Sequence, residues 1–119
     1  MSIDRYVYRE EDLPTYVPAG HTGTVNRRLI GEAKNFHLVM GTLDKGAEAK
    51  RHSHSDLEQG MYVLEGSALV DIEGETKEIG PGGVIFFPVG LPHRILAMSQ
   101  PTRFLIVYSP PLKAHPNPE

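Results

Sequence analysis

GAEAKRHSHSDLEQGMYVLEG, residues 46–66, places two histidines a single residue apart between framing glycines, ahead of an apolar run that closes on a turn. In an extended strand, residues two apart point to the same side, so His52 and His54 present two imidazoles to one ion. Downstream, GGVIFFPVGLPH, residues 82–93, has its own glycine turn, a short apolar run, Pro88 and Gly90, and then His93 at the start of a further strand. A His-x-His pair by itself is more often a surface feature than a ligand pair. The second segment, with separate turn constraints and a third imidazole, is what moves the reading to a metal site. Imidazole suits Fe, Ni, Cu and Zn, and oxygen donors admit Mn, so one divalent ion per chain is expected without a choice of element.

Around these segments, 12 glycines and 10 prolines punctuate short runs rich in Val, Ile, Leu, Phe and Tyr, which argues for many short strands and few helices. Strands are expected at Gly23–Ile30, Asn35–Leu43, Ala49–His54, Gly60–Glu65, Ser67–Ile72, Glu75–Ile79, Val84–Pro88, His93–Met98 and Arg103–Tyr108. SALVDI, residues 67–72, alternates polar and apolar residues as a half-buried strand does. So many short strands must manage their edges, which predicts a closed or nearly closed antiparallel barrel. The expected layout is an extended arm over 1–22, a barrel over 23–109 and a tail over 110–119.

At 119 residues the chain has the size of one domain with one core. The net charge is −3 and the basic residues are scattered, which argues against nucleic-acid partners. No apolar run approaches the roughly 20 residues of a membrane helix, and the N-terminus lacks the apolar core of a signal peptide, so a cytoplasmic protein is expected. With no cysteine, a metal must be held by imidazole, carboxylate or amide oxygen.

The two segments together resemble the cupin motifs G-x5-H-x-H-x3,4-E-x6-G and G-x5-P-x-G-x2-H-x3-N, matched from Gly46 to Ala97. The resemblance implies an all-β, single-domain jelly roll (double-stranded β-helix), often dimeric, with a divalent metal in the barrel held by His52, His54, His93 and the residue at the Glu position of the first motif. Gln59 is separated from Gly66 by the six intervening residues of the motif, whereas Glu58 fits only if that spacing grows to seven. Gln59 is the expected fourth ligand, because an added residue is absorbed more easily in the preceding loop than in a strand with a fixed end. Ala97 stands where the motif has a structural Asn. Four neutral ligands leave the ion its full charge, favouring an anionic chelating substrate or a polarised carbonyl.

The resemblance further implies an enzyme acting on a small polar or anionic organic molecule, with dioxygenase-type oxidation favoured. The alternatives are an isomerase or lyase that does not use oxygen, and a non-catalytic ligand-binding barrel. Cupins that linearise unsaturated uronates look similar in the Glu58-Gln59 pair and the VYSPP end, residues 107–111, but place an Asp and an Arg where this chain has Ile106 and Leu112. Glu58 and Tyr108 are candidate catalytic groups, and Arg28 and His37 are candidate substrate-lining residues. A homodimer is expected, because a tyrosine-bearing arm and open sheet edges invite strand exchange.

Overall fold

The computed structural model describes residues 2–97, 100–112 and 117–118; side chains are described through 112. Almost all of it is antiparallel β-structure. Two single-turn 3-10 helices, Ile3–Arg5 and Glu10–Asp12, precede β1 (Thr15–Tyr16), which pairs with β2 (His21–Ile30). The first 22 residues are thus tied to the chain by a short ladder, by the Tyr8 hydroxyl donating to the Leu29 carbonyl at 2.6 Å, and by Arg103 donating to both carboxylate oxygens of Glu10 at 2.9 and 3.0 Å.

The architecture turns on β3 (His37–Ser53). The sequence suggests two separate strands, Asn35–Leu43 and Ala49–His54, but the chain runs through as one long strand. Its first half pairs with β9 (Thr102–Ser109) and its second half with β8 (His93–Ala97), while β2 follows it on the other side. A strand shared in this way bends the sheet on itself and forms the corner of the sandwich. The order is β6 (Glu75–Ile79), β5 (Ala68–Ile72), β8, β3, β9, β4 (Glu58–Glu65) and β7 (Val84–Phe87), with the short β10 (Asn117–Pro118) also against β3. This is the expected all-β jelly roll. Lys113 to His115 and Met98, expected in the tail and at a strand end, lie outside the described residues.

Alternation fills the core: Gln59, Met61 and Val63 of β4, Phe104, Ile106 and Tyr108 of β9, Ile85 and Phe87 of β7, and His93, Ile95 and Ala97 of β8 all point inward. The edge strand β6 carries Glu75, Lys77 and Glu78 and is exposed almost throughout, which protects it from edge pairing. Among the described residues, no helix is long and apolar enough to cross a membrane.

Gly66, which ends the first motif, adopts φ +81°, and a Cβ there would lie 2.2 Å from the Pro101 carbonyl oxygen. Gly66→Ala therefore meets both left-handed strain and a backbone clash. It is expected to cost at least about 2 kcal/mol in urea unfolding; a loss below about 0.5 kcal/mol would show that the turn relaxes freely.

Candidate metal centre

Strand parity brings the histidines together only because β3 is irregular. Ala47 and Ala49 face inward, and unbroken alternation would then turn His52 and His54 outward. The ladder between β3 and β8 shifts register between Ala49 and His52, and beyond that shift His52 and His54 point into the core. His93 lies directly opposite His52 across the β3–β8 ladder, with ring centroids 4.4 Å apart. The Gly90 N–H donates to the His54 carbonyl at 2.7 Å, pinning the turn before His93 to the strand end that carries His54. One potential ligand atom from each of the three rings lies within 4.8 Å of the others.

Backbone carbonyls set the ring orientation. The Nδ1–H of His52 donates to the Lys50 carbonyl at 2.6 Å, and that of His93 to the Leu91 carbonyl at 3.0 Å. In the neutral rings this leaves the Nε2 lone pairs free, the state a metal requires. Phe87 stacks on His93 at 3.6 Å and 5° and fixes the ring plane. Gln59 is 4% exposed; its amide nitrogen donates to the Met61 sulfur at 3.2 Å, leaving its oxygen uncommitted. Among the described residues, His54 Nε2, His93 Nε2 and Gln59 Oε1 are buried without a hydrogen-bond partner. Buried polar atoms are costly to leave unpaired, so lone pairs converging in one cavity fit a bound cation.

The cavity encloses about 50 Å³. Besides the three histidines and Gln59, its lining includes Tyr16, His21, Asn26, Met61, Ile95, Phe104, Ile106, Tyr108 and Leu112. Among the described residues, no Lys, Arg, Asp or Glu lines it. Tyr108 is buried, with its ring 5.8 Å from His54, and burial, followed by the neighbouring Tyr16, raises its pKa, so it remains a phenol at neutral pH.

Three candidates lie elsewhere. Glu58 is exposed, because the pleat that turns Gln59 inward turns its neighbour out. Arg28 is exposed on β2, its guanidinium 4.9 Å above the Tyr16 ring and away from the cavity lining. His37 accepts the Leu112 N–H at Nδ1 and donates from Nε2 to the Gly31 carbonyl, which commits both nitrogens to holding chain segments. The lining also holds polar groups that the motifs do not reach, Tyr16, Asn26 and above all His21, which the sequence assigns to the arm but which opens β2 with its ring 5.9 Å from His52.

Burial lowers the pKa of all four cavity histidines, to about 4 for His21 and about 3 for His93. Mutual repulsion with the other rings adds to this for His21, His54 and His93. Their folded pKa values lie below the unfolded value of ~6.5. The stability they permit is therefore complete above that pH and is lost as pH falls and the unfolded chain takes up protons first. The urea midpoint of metal-free protein is expected to be level above pH ~7 and to fall steeply from pH ~6.5 to ~4. A level midpoint down to pH ~4 would contradict this electrostatic reading.

The chain is similar to several proteins of this architecture. It is 30% identical to the polyketide cyclase RemF from Streptomyces resistomycificus, with a TM-score of 0.81 and coverage of 93% of this chain and 83% of that one. It is 33% identical to oxalate decarboxylase OxdC of Bacillus subtilis over 94 residues, 75% of this chain and 24% of that protein. It is 28% identical to quercetin 2,3-dioxygenase of Bacillus subtilis over 102 residues, 84% of this chain and 30% of that protein. The matched stretch thus spans 24% and 30% of the length of these two enzymes. Residues 39–108 match the cupin domain family, and with the jelly roll and its cluster of three buried histidines the chain belongs to the cupins.

Proposed function

We propose that the chain is a metal-dependent cupin enzyme in which His52, His54, His93 and Gln59 hold one divalent ion, of Fe, Mn, Ni, Zn or Cu, and that it acts on an oxygen-bearing organic molecule. The observation that carries this reading is the composition of the cavity: partnerless imidazole and amide donors and no ionic side chain in the described lining. Bound there, such an ion supplies Lewis acidity to a coordinated oxygen and, where redox-active, electron transfer with dioxygen. The protein's own part is to keep the rings neutral by burial, to fix the tautomer of His52 and His93 through the Lys50 and Leu91 carbonyls, to exclude water with apolar walls, and to offer Tyr108 as a hydrogen-bond donor.

The lining also selects among substrates. Among the described residues the lining offers a small dianion no Arg or Lys, so carbonyl and hydroxyl oxygens on an otherwise apolar molecule fit better than a free polyanion. A volume of about 50 Å³ admits an ion and a few small groups, so the reacting end of the molecule enters and the rest stays outside or displaces side chains. Dioxygenase-type oxidation is favoured, because it asks least of side-chain acids and bases. Similarity to RemF supports a second reading, in which a redox-inert ion polarises a carbonyl without oxygen. Metal analysis of untagged protein purified without chelators, followed by oxygen uptake with diketone and polyphenol substrates, tests both. About one ion per chain with oxygen consumption supports the first reading. One ion with substrate turnover and no oxygen uptake supports the second. Absence of metal even after reconstitution would overturn both.

The reading includes a homodimer, for which the sheet offers a contact surface besides the arm exchange expected from the sequence. The outer face of β9, β4 and β7 exposes Val84 (69%), Phe86 (57%) and Tyr62 (46%), with Leu64 and Val107 beside them. A solvated outer face is usually polar, and a contiguous apolar one marks a contact. Sedimentation at micromolar concentration is expected to give a dimer, and Phe86→Lys a monomer; a monomeric wild type would refute the assembly.

A further inference from the structure

His21 belongs to neither motif, yet the fold delivers it to the same cavity. On β2 the inward positions are Thr24 and Asn26, and unbroken alternation would turn His21 outward. The ladder with β3 shifts register between Thr22 and Thr24, at Gly23, which has φ +65° and whose Cβ would meet the Ala47 Cβ at 2.9 Å. Beyond that bulge His21 pairs with Ala49, an inward-facing residue of the cavity lining, and its ring turns in. Its Nδ1 is buried and partnerless among the described residues, as is Asn26 Oδ1 on the same strand. His21 nevertheless stands outside the group of three rings whose ligand atoms lie within 4.8 Å of one another.

An imidazole that faces the cavity with an unpaired nitrogen, but stands apart from the ligand cluster, is placed to touch what the ion holds. We infer that His21 is the cavity's hydrogen-bonding contact for the exogenous ligand, donating to an oxygen or other acceptor atom of a molecule bound at the centre. The inference rests on the metal reading above and narrows its substrate class: the molecule presents an acceptor atom to β2 as well as a donor atom to the ion. Asn26 adds a second polar group on that side, so a ligand with adjacent carbonyl and hydroxyl groups matches both.

The test uses cobalt(II) as the ion and azide as a small acceptor ligand, with both affinities read from the visible spectrum of the loaded protein. His21→Ala is expected to leave cobalt affinity within about twofold of wild type while weakening azide about fivefold, the typical worth of one hydrogen bond. His21→Gln, which retains a donor, is expected to recover part of the azide affinity. A tenfold or larger loss of cobalt affinity in His21→Ala would make His21 a metal ligand and overturn the inference. Unchanged azide affinity would reduce it to packing and overturn it equally. Failure of wild type to take up cobalt would instead overturn the metal reading, and this inference with it.

Discussion

His93→Ala is expected to lower the affinity for divalent metal at least about a hundredfold while leaving the fold intact. Loss of a residue that merely supports a ligand costs ten- to a hundredfold, and His93 is proposed as a direct donor, so the upper figure is the floor. The fold should survive because Nε2 of His93 is itself an unpaired buried atom, and its removal relieves one cost while opening another. Competition titration of zinc or cobalt against a chelator, beside a circular dichroism spectrum, measures both quantities. Glu58→Ala is the matched control: it is exposed on β4, next to Gln59, and should leave affinity unchanged. A hundredfold loss in Glu58→Ala, or an affinity within tenfold of wild type in His93→Ala, would show that the donors have been misassigned.

Phe87→Ala is expected to have the largest effect on stability. The side chain is 1% exposed, sits in the core cluster and lies flat against His93 at 3.6 Å. Truncating a fully buried Phe costs about 3–5 kcal/mol through lost transfer energy and an unfilled cavity. Because the stack also fixes the imidazole plane, metal affinity should fall about tenfold in the fraction that remains folded. Urea unfolding at neutral pH, followed by metal titration below the transition, reads the two effects separately. Full metal affinity despite the stability loss would mean that the Leu91 carbonyl alone orients His93.

The strands were legible because turn residues and alternation agree along most of the chain; Glu75–Ile79 was read to the residue. Legibility failed where alternation is interrupted. Residues 44–46 carry a charged pair and a glycine and look like a turn, yet they continue β3 through the corner of the sandwich. Parity within β4 alone does not choose between Glu58 and Gln59; Met61 and Val63 are core residues, so Gln59, which shares their side, is the one turned inward. His21 was lost to the arm because its inward orientation depends on a bulge one strand away from the motifs. A signal was present in HTGTV, residues 21–25, where a glycine interrupts β-branched residues in the manner of a bulge. Arg28 and His37 are pocket candidates by residue type alone, and the structure commits one to Tyr16 and the other to Gly31 and Leu112.

The most direct measurement is an anomalous difference map from crystals of protein reconstituted with a single divalent metal. The expected result is one strong peak per chain inside the jelly roll, bounded by His52 Nε2, His54 Nε2, His93 Nε2 and Gln59 Oε1. An empty cavity, or a peak held by surface residues instead, would contradict the assignment of this cupin as a metal-centred protein.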